Sequence, residues 1–310
     1  MEKLLLIYQC IKQFSFLELI KSILQAFGIL WLLVGITSFF FEKYGWSDTI
    51  RSYWWLFFTL GIIWGLYRAC PKVSVRERIL DTDVDIEVRI GNMFSLPYAF
   101  IIGSNTTFDT TIEDNTISSK SVQGQFTKKF CSSINLLDKL LEDSLSGVPI
   151  KAIKNKTEKP FGKLKEYDLG TVAPIEINGK KAYFVAIAIF NQHKVASVER
   201  EDFLDLLPKM WDGIRNRGGF EPLCCPILGS GFSRLNMTRE ELIHEIIKSF
   251  IAATSEAKFS ERLVLVVTPS DFSAGHINLK EIKKFLEYEC IYGRSLTKPK
   301  IKEEIGTAIL

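Results

Sequence analysis

Apolar positions are spread unevenly along the chain, and the unevenness divides it. Residues 22–41, SILQAFGILWLLVGITSFFF, carry no charge and are long enough to cross a bilayer as one helix. A second uncharged stretch, 52–67, SYWWLFFTLGIIWGLY, is short for a span, but Arg68 can snorkel and Trp54, Trp55 and Tyr67 suit the two interfaces. Only residues 42–51 separate the two, so the helices must be antiparallel neighbours, and the pattern predicts a transmembrane hairpin over 22–70. The competing reading is a core helix of a soluble domain, which competes more strongly for the second stretch. A cleaved signal peptide fits poorly, because the run is long, internal and without a small-residue cleavage pattern. Ahead of it, Leu4, Ile7, Tyr8, Ile11, Phe14 and Leu17 recur near helical spacing, interrupted by Lys12 and Glu18. This predicts an amphipathic helix over 1–21, either lying on the membrane or packed on a cytoplasmic domain.

Beyond residue 70 the pattern becomes that of an α/β domain over 82–295, with a linker at 71–81 and a tail at 296–310. Val84, Ile86, Val88 and Ile90 alternate inward, a strand with one wetted face. Tyr98–Ile102 is a short apolar strand ending in Gly103-Ser104-Asn105, and 134–145 is a helix with Leu137, Leu140 and Leu141 on one side. KAYFVAIAIF, 181–190, reads as a strand buried on both faces, and 202–216 as a helix. Leu223–Leu228 is a strand that breaks at Gly229-Ser230-Gly231. Thr238 and Glu241 then form a capping box opening the periodic run Leu242, Ile243, Ile246, Ile247, Phe250. Leu263–Thr268 is the last buried strand, followed by Pro269-Ser270-Asp271-Phe272. Buried strands alternating with helices imply a largely parallel or mixed sheet covered on both sides, with ligands at the strands' carboxyl ends. That brings Gly103–Asn105, Gly229–Gly231 and Ser270–Phe272 together, with the glycine-bearing 118–130 segment, SSKSVQGQFTKKF, closing over them ahead of a helix.

Charge adds an orientation. Lys3, Lys12 and Lys21 precede the first span and Arg68, Lys72, Arg76 and Arg78 follow the second, against Lys43 and Arg51 between them, so both termini are expected in the cytoplasm. Cys10, Cys70, Cys131, Cys224, Cys225 and Cys290 form no disulfide framework, and Cys224 and Cys225 are expected to pack in the core from opposite faces of a strand. His193, His244 and His276 lack metal spacing, and His244 is expected at a helix surface or boundary. With a net charge of +3 and dispersed basic groups, nucleic-acid binding is not indicated. The lysine-rich 151–165 segment is expected to be a solvated loop or hairpin near the membrane.

The glycine loop is the main candidate for chemistry. A P-loop would close with Lys followed by Ser or Thr, where Phe232-Ser233-Arg234 stands; a nucleophile elbow needs G-x-S-x-G, and Ser230 lies directly between its glycines. Exposed backbone N–H groups at Gly229-Ser230-Gly231 suit a phosphate, whereas a plain strand-to-helix turn needs one glycine at most.

The order of a strand with Gly91-Asn92-Met93-Phe94, a strand ending in Asn105, the 118–130 segment, and Pro226-Ile227-Leu228-Gly229-Ser230-Gly231-Phe232 resembles a macro domain, the ADP-ribose-binding fold, over roughly 82–290. The resemblance implies a three-layer α/β/α domain with a mixed sheet. It implies that Gly229, Ser230, Gly231, Phe232, Ser233 and Arg234 wrap a diphosphate, the aromatic flanking the distal ribose, while Ser121, Val122, Gln123, Gly124, Gln125 and Phe126 face it across the phosphates. Asn92, followed by Met93 and Phe94, takes the place of the usual acidic residue at the adenine amino group; Ser104 and Asn105 lie at a ribose hydroxyl; Asp271 and Phe272 follow the last strand, the ring stacking on adenine.

Together with the hairpin and SVQGQFTKKF, the chain is similar to the membrane-anchored macro-domain effectors of bacterial Thoeris anti-phage defence. That resemblance implies an inner-membrane, multi-pass protein that binds an ADP-ribose derivative, a histidine-conjugated one among the candidates. A TIR-domain partner enzyme would make this small-molecule nucleotide signal from NAD, and the effector would then form a homo-oligomer and damage membrane lipid, with no catalysis, cofactor or metal. The runner-up is an ADP-ribosyl hydrolase, disfavoured because the glycine run of such enzymes is reduced to Gly124 and the residues before Asn105 differ. A membrane adaptor with a vestigial pocket is the third reading.

Overall fold

A computed structural model describes residues 16–41, 52–69, 73–114, 116–231 and 235–297. The chain separates into two compact units, Met1–Val73 and Ser74–Leu310. In the first, helix α1 (Phe16–Phe41) packs along helix α2 (Trp54–Ala69). Gly61 lies against the Phe27 ring and Gly65 against the Ile23 backbone, so the contacts run in opposite directions along the two helices and the pair is antiparallel. The rings of Phe27 and Phe58 meet at 5.3 Å. Ile20–Thr37 is apolar and long enough to cross a membrane, whereas the apolar part of α2, Trp55–Gly65, is shorter than a span. The expected pairing of helices is therefore present, but only α1 has the length and composition of a transmembrane helix. Residues 16–21, expected in a separate amphipathic helix, belong to α1; the remainder of that helix and the connecting 42–51 loop lie outside the described residues.

The second unit is built on an eight-stranded mixed sheet: β1 (Ser74–Arg78), β2 (Asp85–Ile90), β10 (Arg262–Val267), β9 (Leu223–Pro226), β3 (Ala99–Asn105), β7 (Lys180–Phe190) and β6 (Val172–Ile177) in spatial order, with β8 (Ala196–Ser197) paired to the end of β7. The five strands from β2 to β7 are parallel, and the outer partners are antiparallel. A two-stranded hairpin, β4 (Ala152–Ile153) with β5 (Lys165–Glu166), stands apart.

Alternation sorts the core into two layers. One face sends Phe100, Ile102, Phe184, Cys224 and Val264 against helices α3 (Val122–Phe130) and α4 (Ile134–Leu145). Helices α5 (Arg200–Arg217) and α6 (Arg239–Glu256) pack together on the other side, where Trp211, Phe250 and Phe259 form a ring cluster. Cys224 and Cys225 are both fully buried. Thr238 and Glu241 make the expected capping box of α6. One-turn α7 (Pro269–Ser273) and α8 (Leu279–Thr297) finish the described chain.

Three expectations need correction. Residues 71–81 are not a linker throughout, since they hold β1, whose charged sequence SVRER hides an edge strand. The wetted face expected of β2 is absent: Asp85 and Glu87 are buried, and arginine side chains from the flanking strands β1 and β10 reach across Asp85. Asp85 accepts from Arg76 and from Arg78 Nε at 3.2 Å, with Arg262 at 3.5 Å. Burial pushes its pKa up, but these hydrogen bonds outweigh burial and hold it below the ordinary carboxylate value. Finally, the 151–165 hairpin is not solvated throughout, for Lys159 is 4% exposed and paired with Asp109.

Candidate functional site

Five parallel strands end on one rim, where a cleft of about 570 Å³ opens, a volume in the range of small-molecule sites. The end of β3 supplies its floor. Ser104 is buried there and its Oγ has no hydrogen-bond partner among the described residues, which in a folded protein calls for an explanation such as a ligand group. Asn105 is differently placed. Its Nδ2 donates to Thr107 Oγ1 at 2.8 Å and Asp109 Oδ2 at 2.6 Å, and its Oδ1 accepts from Asp109 N at 2.9 Å. Both amide protons are thus spent on the turn after β3, leaving a lone pair on Oδ1 for anything in the cleft.

The segment expected as a glycine loop is the first turn of α3. Ser121 is the N-cap, its Oγ accepting from Gly124 N at 3.0 Å. The Gly124 amide is consumed by that cap, and a Cβ there would fall 2.2 Å from the Ser118 carbonyl, so this glycine serves close packing. Ser121, Val122, Gln123 and Gln125 line the cleft; Gly124 and Phe126 do not. Phe126 is fully buried between Phe100, Phe130 and Phe184. The first-turn amides of Val122 and Gln123 precede any intrahelical acceptor, and the helix dipole adds positive potential there.

A second wall is the turn after β9. Gly229 has φ +80 and is buried, a conformation side chains rarely adopt, and Ser230 Oγ donates to Ile227 O at 2.6 Å to close the turn. Gly231 is exposed, lines the cleft and has open space where a Cβ would go. Phe232, Ser233 and Arg234 lie outside the described residues.

At the β10 end, Asp271 lines the cleft and forms an ion pair with Arg239 of the first turn of α6, Oδ1 to Nε at 2.8 Å. Phe272, its neighbour, is buried off the cleft. Asn92, Met93 and Phe94 are also off it: Asn92 Oδ1 caps a short 3-10 turn by accepting from Phe94 N at 3.0 Å, and Met93 and Phe94 are in the core. The cleft therefore gathers Ser104, Asn105, Ser121, Val122, Gln123, Gln125, Gly229, Ser230, Gly231 and Asp271 of the residues singled out from sequence, and leaves Asn92, Met93, Phe94, Gly124, Phe126 and Phe272 outside.

Sequence reasoning missed the β7 end. Asn105 pairs with Ala188, so β7 runs on past β3, and its hairpin with β8 brings Phe190, Lys194 and Val195 to the cleft beside Thr116 and Ile117. Lys194 donates to Asp114 O at 2.7 Å and lies 3.4 Å from its carboxylate. The signal was available in the length of the apolar run and in Asn191, whose Oδ1 accepts from His193 N and Val195 N to form the turn. Lys194 is paired with Asp114 and Arg239 with Asp271, so of the cations in the described lining Lys120 supplies the positive excess, which suits an anion. His244 is remote from this lining: it stacks on Phe285 at 3.8 Å, and burial pushes its pKa down.

A family model described as Thoeris protein ThsA, Macro domain, matches residues 86–268. Thoeris protein ThsA of Bacillus amyloliquefaciens (strain Y2) is 26% identical over 210 residues, which make up 65% of this chain and 67% of that protein. Among solved structures, the Oceanobacillus iheyensis macrodomain with MES bound and the same macrodomain with ADP are similar at 12% and 13% identity, each with a TM-score of 0.45, covering 70% of this chain and 98% and 97% of those chains. The family match begins in β2 and ends one residue after β10, so it takes in the floor and both glycine-bearing walls of the cleft and stops short of α1 and α2.

Proposed function

Since the match spans more than half its length, the chain belongs to the Thoeris ThsA macro-domain family, and we propose that its cleft is the receptor site for an ADP-ribose derivative in Thoeris defence. The observation that carries this reading is the meeting of two amide-bearing walls over one floor: the α3 terminus at Ser121–Gln123 and the turn at Gly229–Gly231, with the unpartnered Ser104 Oγ beneath. A diphosphate set between them would meet first-turn amides and a glycine backbone that lets it approach closely. Lys120 would add long-range attraction. The ends of such a ligand would reach toward Asp271 and Arg239 on one side and the β7–β8 hairpin on the other.

The wider reading is that a TIR-domain enzyme makes the ligand from NAD and that binding drives association of chains and damage to the inner membrane through α1 and α2. A ligand can do this only by binding the assembled form more tightly, so the 229–231 turn and the α3 terminus would differ between free and assembled chains. The hydrolase reading has less support, because Asn105 has spent its amide protons on Asp109 and Thr107.

The test is titration of ADP-ribose into the full-length chain in detergent, beside Gly231→Asp. The open space at Gly231 accommodates the side chain, so folding should be kept while the added carboxylate repels phosphate. Loss of at least 100-fold in affinity is expected, about 2.8 kcal/mol. Equal binding by a folded variant would remove the 229–231 turn from the site.

A further inference from the structure

We infer that Lys159, which does not line the cleft, is a positioning residue for it, acting through Asp109. The inference rests on the reading of the cleft as a ligand site.

Asp109 sits in the buried turn after β3 and is 1% exposed. Its Oδ2 accepts from Asn105 Nδ2 at 2.6 Å, Thr107 Oγ1 at 2.8 Å and Lys159 Nζ at 2.8 Å, and its Oδ1 from Lys163 N at 2.6 Å. Its backbone is engaged as well: N donates to Asn105 Oδ1 at 2.9 Å, and O accepts from Gln123 Nε2 at 2.6 Å. One residue thereby holds the side chains of Asn105 on the floor and Gln123 on the α3 wall. Each of these two lines the cleft; Asp109 does not.

Lys159 is the buried cation paired with the Asp109 carboxylate, Nζ to Oδ2 at 2.8 Å. Its three ammonium protons have three acceptors: Asp109 Oδ2, Phe161 O at 3.0 Å and Lys163 O at 2.7 Å. The loop that presents it wraps the carboxylate tightly, for Gly162 has φ +63 and a Cβ on it would fall 2.1 Å from Asp109 Oδ1. The same loop touches the β7 end of the cleft. Phe161 lies under Lys159 Nζ at 4.8 Å and Lys194 Nζ at 5.3 Å, and its ring is 6.2 Å from Phe190.

A buried ion pair is a weak source of net stability, but removing one partner leaves a charge that must find new donors. The other donors on the same carboxylate oxygen, Oδ2, are those of Asn105 and Thr107. A carboxylate that turns to recruit them more closely, or moves toward water, carries the floor and the α3 wall with it. Lys159 is thus tied to ligand affinity although it touches no ligand.

The experiment uses the full-length chain in detergent, with ADP-ribose as the probe for calorimetry and with amide hydrogen exchange read without ligand. Lys159→Met is expected to weaken binding about tenfold at temperatures well below its unfolding midpoint and to speed exchange at 105–111 and 118–126. In an Asp109→Asn background, where no charge needs compensating, the same substitution is expected to change affinity less than twofold. If Lys159→Met does not fold, Lys159→Gln, which keeps two donors, is read the same way. Parent-like affinity with faster exchange confined to 151–166 would reduce Lys159 to a staple of its own hairpin and overturn the inference, as would equal losses in both backgrounds. Failure of the parent to bind ADP-ribose counts against the functional reading alone, and exchange at 118–126 then decides the role of Lys159.

Discussion

The α3 terminus and the turn after β9 form two walls of one cleft, and each brings glycine to it. Gly124 is enclosed: its amide goes to the Ser121 cap, and a Cβ added to it would fall 2.2 Å from the Ser118 carbonyl oxygen. Gly231 is open: among the described residues, its chain neighbours aside, no atom lies within 4 Å of the place a side chain would occupy. The first wall owes its shape to a capped helix; the second owes its shape to Gly229 and the Ser230 hydroxyl, leaving Gly231 without a packing duty. A glycine near a ligand site is therefore not by itself a ligand contact. What decides is whether the space beside it is filled by protein or left open.

Substitutions at the two walls separate the roles. Gly124→Ala should be the most damaging, because the obstacle is backbone; about 3 kcal/mol of stability is expected to be lost, read from chemical denaturation. If the variant is as stable as the parent, the enclosed character of the first wall is wrong. Ser121→Ala removes the cap and should cost about 1 kcal/mol. It should also weaken ADP-ribose binding severalfold, since the first-turn amides lose their fixed direction; unchanged affinity would mean that α3 is only a neighbour of the site. Gly231→Ala should change stability by less than about 0.5 kcal/mol, with affinity falling only if ligand comes within contact distance of that backbone. A marked loss of stability there would erase the contrast between the walls.

Local signals made the architecture legible. The capping box at Thr238 and Glu241, the continuous apolar run of β7 and the leucine face of α4 each express a period or a cap within a dozen residues, and each is present in the structure. What was not legible depended on partners far away in the chain. Asp85 of β2 reads as wetted because the cations that cover it lie on other strands, Arg76 and Arg78 on β1 and Arg262 on β10, after residue 260. Lys159 looked solvated because its carboxylate lies fifty positions upstream. At the site, strand-end placement pointed to Ser104, the α3 terminus and Gly229–Gly231. The adenine-facing positions implied by resemblance, Asn92 and Phe272, are turned to capping and core packing, while the β7–β8 hairpin, which follows from one strand outrunning its neighbour, carried no motif at all. α3 itself was read as a loop because its one glycine and its serine cap resemble loop composition more than helix.

The position of β10 has a consequence for how the chain comes into being. It is the last strand in sequence but lies in the middle of the sheet, pairing with β2 on one side and β9 on the other. Until residues 262–267 have left the ribosome, β1 and β2 have no sheet to join, and the rim that holds the cleft is split between two unconnected halves. Contacts of such long sequence separation close slowly. A chain cut short before Arg262 would leave the apolar edges of β2 and β9 both unpaired, a form more prone to aggregate than to bind. The cleft thus exists only once nearly the whole described chain has been made.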